Sequence, residues 1–369
     1  MKGLVVKMQT KQVKINSDHI DNESMKEAAE LIRKGELVAF PTETVYGLGA
    51  DALRPEASKK IYAAKGRPSD NPLIVHICDF DQLVSIAKEV PWQAKKLADT
   101  FWPGPLTMIV WKNEKVPYET TGGMDTVAIR MPNHPVALKL IEESGCMIAA
   151  PSANTSGKPS PTEASHVARD LEGKIAMILD GGPVGIGIES TIVDLTEEKP
   201  MILRPGYITK EMLENALGEE VLIDPGILAQ ELIKPGEANE SLTNGAKPKA
   251  PGMRYKHYAP KADLVLVEGE TAGVVEKINE LVKELQEQGK KVGVIATDET
   301  KDSYRADIVV SIGARTDEDA IAQHLYKILR EFDDWEVDAI YSESFSTPRI
   351  GQAIMNRLLK AAGHQVLYV

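Results

Sequence analysis

The chain has 369 residues, 43% of them hydrophobic and 5% aromatic, which is enough apolar material for one large core or two moderate ones, and this length favours two. Its 43 basic and 55 acidic residues leave a net charge of −12, which excludes a global attraction to nucleic acid or anionic membrane and leaves any RNA contact to a local basic patch. Two isolated cysteines and seven scattered histidines, with no CxxC and no HExxH, exclude a disulfide framework and zinc chemistry.

No run approaches the roughly 18 consecutive apolar residues that a membrane helix needs. The amino-terminal MKGLVVKMQTKQVKINS has neither a signal-peptide core nor a small-residue cleavage site. The expectation is a cytoplasmic protein with no membrane partner.

In chain order, MKEAAELIRKG reads as a helix stopped by glycine and followed by the strand ELVAFP. A second glycine-stopped helix, EASKKIYAAKG, leads to the strand NPLIVHI, and the helix PWQAKKLADTFW precedes the strand LTMIVW. Strands are expected at TVAIRM, MIAA, AMILD and STIVDL, so the first part is mixed α/β and richer in strand and loop than a plain doubly wound fold. A short helix, TKEMLENALG, opens a stretch rich in Pro, Gly and polar residues that lacks periodicity. Beyond Lys261, near-continuous apolar strands (LVLVEG, KVGVIAT, ADIVVSIG, VDAIYSES) alternate with amphipathic helices, the pattern of a parallel sheet covered on both faces. The expected organisation is a catalytic domain over residues 10–215, a linker over 216–261 that either folds over the site as a lid or docks the two domains, and a smaller Rossmann-like domain over 262–369.

Several polar loops follow the strands. The tract APSANTSGKPSPT, Ala150 to Thr162, holds too much Pro, Gly and hydroxyl for helix or strand interiors and reads as a loop behind the strand MIAA. Lys65-Gly66-Arg67-Pro68 sets two cations at a helix end: either they complement the helix dipole, or they clamp phosphate, Arg67 as a planar fork and Lys65 as a point charge. Arg130, after an apolar strand, suits a carboxylate or an ordinary salt bridge. Gly47-Leu48-Gly49-Ala50-Asp51-Ala52 formally fits the dinucleotide fingerprint, but PTETVY intervenes after the strand and no acidic ribose partner follows, so it reads as a decoy. No GxxxxGK[ST] occurs, because Pro159 follows Lys158. Convergence of the basic residues 65, 67, 130, 158 and 204 requires that their strands share one sheet.

Read together, PTETVYGLGADA, KGRPSDNPLIVHI, FWPGPLT, VAIRMPNHP, APSANTSGKPSPT, ESTIVDL and ILRPG resemble the YrdC/Sua5 family, the threonylcarbamoyl-AMP synthases. Lys65-x-Arg67 and Ser152-x-Asn154 look like that family's KxR…SxN signature. The second domain and PGMRYKHYAP are similar to its two-domain Sua5 form. The resemblance implies a nucleotidyltransferase with a twisted sheet around a large concave cavity. It would make L-threonylcarbamoyladenylate and pyrophosphate from L-threonine, bicarbonate and ATP for the t6A modification of adenosine 37 in tRNA, with magnesium carried by ATP. It also implies transient contact with the downstream threonylcarbamoyl-transfer machinery or tRNA.

Carried over by motif, Thr44, His76, Arg130, Ala150 and Ser190 would hold threonine. Lys65, Arg67, Asn71, Thr126, Ser152, Asn154, Ser160, Arg204 and Tyr255 would hold ATP, and Lys65, Arg67, Ser152 and Asn154 would act catalytically on the departing pyrophosphate. No Ser-His-Asp order or activated cysteine is present, in keeping with a reaction that needs an enclosing pocket rather than a protein nucleophile. Arg254, Tyr255, His257 and Tyr258 are either lid residues that fold over the cavity mouth or residues that dock the two domains on each other. An RNA-binding module and a carbamoyltransferase of the hydrogenase-maturation type are the competing readings; the acidic total opposes the first, and the want of zinc-finger cysteines opposes the second.

Overall fold

The computed structural model describes residues 9–231, 249–250, 257–345 and 349–369. Local chemistry places the first helices. Helix Asn22–Arg33 starts where the Asp21 carboxylate accepts from the Glu23 and Ser24 amides, and it buries Met25, Ala28, Ala29 and Ile32 on one face. Helix Pro55–Lys65 begins with proline in its first turn and stops at Gly66, whose φ of 63° lies in the left-handed region that glycine enters without strain. That stop points Lys65 and Arg67 in different directions.

The first sheet has eleven strands among the described residues: β1 (Lys11–Lys14), β2 (Val38–Phe40), β3 (Gly47–Asp51), β4 (Ile74–His76), β5 (Leu106–Trp111), β6 (Thr126–Arg130), β7 (Ile148–Ala149), β8 (Met177–Asp180), β9 (Thr191–Asp194), β10 (Met201–Arg204) and β11 (Leu222–Ile223). Their order is β1-β8-β2-β3-β7-β4-β6-β5-β9-β10-β11, with parallel and antiparallel pairs mixed. Apolar clusters cover both faces, one around Leu48, Val75, Met108 and Ile129, the other around Phe40, Leu140, Ile148 and Leu179.

The glycine motif at 47–49 is a strand, β3, an element the sequence reading did not assign. It pairs antiparallel with β2, Phe40 opposite Gly47. The glycines are there for packing: a Cβ on Gly49 would stand 2.7 Å from the Phe40 ring and 2.8 Å from Ile148. The loop Ala150–Thr162 is irregular as expected, apart from one bridge between Gly47 and Ser152.

The second sheet is wholly parallel: β12 (Asp263–Glu268), β13 (Val292–Ala296), β14 (Ile308–Ser311), β15 (Ala339–Glu343) and β16 (Val366–Tyr368), in the order β14-β13-β15-β12-β16. Helices Thr271–Glu287, Glu318–Asp334 and Gly351–Ala361 connect its strands, the Rossmann-like pattern expected. One apolar cluster joins the two sheets' territories, packing Val45 and Ile188 with Tyr326, Phe345 and Ile354.

The span expected as linker departs from that reading at its start. Helix Lys210–Leu217, capped by Thr209 and ended at Gly218, crosses residue 215, and β11 then adds parallel to β10, so the first sheet runs on past the expected boundary. Its edge strand is two residues long, too short to show a periodicity. Helix Pro225–Glu231 follows. Residues 232–248 and 251–256, which include the lid candidates Arg254 and Tyr255, lie outside the described residues.

Candidate functional site

The loops at one end of the first sheet enclose a cleft that is partly open to solvent. Thr42, Thr44 and Val45 from the loop between β2 and β3, the ends of β4 and β6, the turn at Ala150–Ser152, Glu189–Ser190, Arg204 and the segment His257–Tyr258 line it. Its described walls therefore hold eight of the fourteen expected site residues: Thr44, Arg67, His76, Arg130, Ala150, Ser152, Ser190 and Arg204.

The five expected threonine ligands fall together. His76 and Arg130 are paired across β4 and β6, and Thr107 pairs with Arg130 across β5 and β6. Arg130 is buried; its Nη1 donates to Thr44 Oγ1 at 2.9 Å and its Nε to Gly104 O at 3.4 Å, which gives FWPGPLT its place beside the site. Its Nη2 stands 2.7 Å from Glu43, a buried ion pair in which no hydrogen bond is aligned. Thr107 and Ser190 join hydroxyls at 2.7 Å. Burial and the Arg130 charge push His76 down to about 3, so the imidazole is neutral, with Nδ1 3.1 Å from Ile74 O.

Arg67 donates from Nε to Asn71 O at 3.4 Å and from Nη2 to Pro72 O at 3.1 Å. Burial lowers it to about 10, which leaves it cationic at neutral pH. Arg204 donates to Ser190 O at 3.0 Å and Ser190 Oγ at 3.1 Å.

Lys65 is placed differently from expectation. It is buried outside the lining, and its Nζ donates to the carbonyls of Ser152 and Asn154 and, at 3.3 Å, to Asn154 Oδ1. Burial and the Arg67 charge push its ammonium well below the ordinary lysine value. Of the two cations in KGR, one faces the cleft and the other braces the loop behind it. Asn154 is likewise turned inward: it accepts from Ser152 Oγ at 2.5 Å and donates to Thr155 O and Lys158 O at 2.9 Å.

Ser160 donates to Glu189 Oε1 at 2.6 Å rather than lining the cleft. Asn71 is buried beside Arg67, with its Oδ1 unpartnered among the described residues. Thr126 sits at the far end of β6, opposite Trp111 and roughly 13 Å along the strand from Arg130. Tyr255 lies outside the described residues; its neighbours His257 and Tyr258 line the cleft, and the Ala259 amide donates to Gly157 O at 3.0 Å.

Two carboxylates at the site were not picked out from the sequence. Glu43 stands inside PTETVY and Glu189 inside ESTIVDL, and nothing in either motif marks a buried acid. Burial alone would raise the Glu189 carboxyl, but Arg357, Arg204 and hydrogen bonds from Ser160 and Tyr326 hold it down at about 2. A carboxyl lowered in the folded state stabilises the fold above its unfolded value and loses that contribution as pH falls. With 4.5 as the unfolded value and 2 as the folded one, the window runs from about pH 4.5 down to 2 and the contribution is roughly 3 kcal/mol. Glu189→Gln should therefore flatten the acid limb of the stability curve in that window, measured by urea unfolding at stepped pH.

Fold and cleft together define a two-domain α/β protein with a partly open pocket rich in guanidinium and hydroxyl groups. The family model described as "Telomere recombination" (Sua5, YciO, YrdC) matches residues 30–206, and that described as the C-terminal domain of threonylcarbamoyl-AMP synthase matches residues 208–363. The chain belongs to the Sua5/YrdC family of threonylcarbamoyl-AMP synthases. It is 51% identical to the threonylcarbamoyl-AMP synthase of Pyrococcus abyssi, covering 95% of this chain and 98% of that one, and 52% identical to that of Bacillus subtilis, covering 92% and 93%. The crystal structure of Pyrococcus abyssi Sua5 complexed with L-threonine superposes with a TM-score of 0.88 at 49% identity, over 98% of this chain and 100% of that one.

Proposed function

We propose that the cleft condenses L-threonine, bicarbonate and ATP to L-threonylcarbamoyladenylate and pyrophosphate, as a nucleotidyltransferase that supplies the t6A modification of tRNA. The observation that carries this reading is the gathering, in one pocket, of three guanidiniums (Arg67, Arg130 and Arg204) with the hydroxyls of Thr44, Ser152 and Ser190. Threonine's amine and bicarbonate give a carbamate with loss of water. A carbamate oxygen then attacks the α-phosphorus, and the bond to pyrophosphate breaks. Carbamates lose carbon dioxide readily in water, so holding both partners in an enclosed cleft supplies the main advantage.

In this reading Arg130 receives the threonine carboxylate as a planar fork, and His76, held by the Ile74 and Ile148 backbone, stays neutral in the lining across the physiological pH range. Arg67 and Arg204 offset the negative charge that grows on the leaving pyrophosphate. Ser152, held by Lys65 and Asn154, presents the loop to the nucleotide. The product is a reactive mixed anhydride, which favours transient contact with the transferase that consumes it or with the tRNA.

Magnesium enters this scheme as part of the substrate, Mg-ATP. Among the described residues no group of three His, Cys, Asp or Glu could hold a metal ion, and Glu189 is committed to Ser160, Tyr326 and Arg357. The test is to incubate the protein with ATP, bicarbonate and each amino acid in turn. Threonine alone should release pyrophosphate, and chelating magnesium should abolish the release while leaving threonine affinity and melting temperature unchanged. Release with several amino acids, or with none, would refute the assignment.

A further inference from the structure

Helices Glu318–Asp334 and Gly351–Ala361 of the second domain reach into the wall of the first domain's cleft. Arg330 donates to Pro159 O at 2.6 Å and to Asp170 Oδ2 at 2.9 Å, gripping the loop Ala150–Thr162. Tyr326 donates to Glu189 Oε2 at 2.8 Å. Arg357 is fully buried; it donates from Nε to the same carboxylate oxygen at 3.1 Å, from Nη2 to Glu189 O at 3.3 Å and from Nη1 to Pro205 O. The loop before Glu189 lies directly on the first of these helices. Gln323 donates to Val184 O at 3.1 Å, and a Cβ on Gly187, at φ +87°, would stand 2.4 Å from Gln323 Cα.

Glu189 is a buried carboxylate in the lining of a cleft read here as a polyanion site. Two guanidiniums act on it, Arg357 from behind and Arg204 from the cleft wall. With Arg357 on the carboxylate and on the carbonyl of Pro205, the neighbour of Arg204, Arg204 is left bonded to Ser190. Without Arg357, the buried anion would remain with Arg204 and Lys360 as the cations near it, and a pair with Arg204, which already lies in the cleft wall beside Glu189, would withdraw Arg204 from ligand.

We propose that Arg357 of the second domain is a positioning residue for nucleotide binding, which neutralises Glu189 and so keeps Arg204 available to the phosphates. The second domain thereby completes the electrostatics of a pocket built on the first. This rests on the nucleotide reading of the cleft.

The experiment measures ATP affinity of the full chain by calorimetry, with threonine affinity and threonine-dependent pyrophosphate release beside it. Arg357→Met should weaken ATP binding by about 10-fold or more and leave threonine affinity within about 2-fold. Removing both charges, with Glu189→Gln and Arg357→Met in one chain, should restore ATP affinity to within about 3-fold of wild type, because the anion that captures Arg204 is gone. Arg357→Lys, which keeps the charge but not the fork, should fall between wild type and Arg357→Met.

A folded Arg357→Met protein with unchanged ATP affinity overturns the proposal, as does a folded double variant no better than the single. Should circular dichroism show Arg357→Met unfolded, the double variant and Arg357→Lys decide: near-normal ATP affinity supports the proposal and a 10-fold loss in the double variant overturns it. Wild-type protein that binds ATP without threonine-dependent release would refute the reaction while leaving this inference standing. Wild-type protein that binds no ATP removes both.

Discussion

Arg130→Ala should lower kcat/KM for threonine by roughly 10³-fold, a loss of about 4 kcal/mol, while ATP affinity measured without threonine stays close to wild type. The guanidinium is buried between Thr44, Gly104 and Glu43, so it is held in place before substrate arrives. A threonine carboxylate has to compete with Glu43 for it. The alanine variant also strands the Glu43 carboxylate without its cation, which costs roughly 3–5 kcal/mol in stability for a buried pair. That second effect would mimic a catalytic loss, so two further variants separate them. Arg130→Lys keeps the charge and loses the fork, and should fold normally with kcat/KM for threonine down by about 10²-fold. Glu43→Gln combined with Arg130→Met removes both charges; it should recover the melting temperature and not the threonine dependence. Recovery of threonine turnover in that neutral pair would show that Arg130 serves the fold and not the substrate.

Much of this architecture is legible in the sequence, and the limits have physical causes. The strands of the second domain stand out because a parallel sheet covered on both faces needs unbroken apolar runs, as in VGVIA at Val292–Ala296. The loop Ala150–Thr162 is legible because its prolines and glycine exclude regular structure. β3 is not: glycines weaken a strand, and what overrides that here is a Phe40 ring from β2 that leaves no room for a Cβ. The motif reading of Lys65 finds the right neighbourhood, yet the side each cation faces depends on how Gly66 turns the chain. Glu189 and Arg357 are 168 residues apart, and neither segment carries a pattern that would announce the other. Local chemistry thus locates the cleft, whereas the charges behind its wall come from packing two domains together.

Lys65→Met should lower both stability and nucleotide use, and this double loss separates a brace from a ligand. Its Nζ satisfies the carbonyls of Ser152 and Asn154 in a buried position. Methionine fills similar volume and donates nothing, so those acceptors are left unpaired at roughly 1–3 kcal/mol each. The expected outcome is a destabilisation of about 3 kcal/mol and a shift of several degrees in melting temperature. Asn154 Oδ1 would keep only Ser152 Oγ, and the turn that carries Ser152 into the cleft would lose its fixed position. The kcat/KM for ATP should fall by about 10²-fold, the scale expected when groups that stabilise developing charge are misplaced. Threonine affinity without ATP should change little, because His76 and Arg130 are set by β4 and β6, Thr44 by Arg130, Ser190 by Thr107 and Ala150 by its amide bond to Ile74 O, and none of these involves Lys65. An unaltered melting temperature with a lowered rate would instead return Lys65 to the role of a direct phosphate ligand, exposed when nucleotide binds.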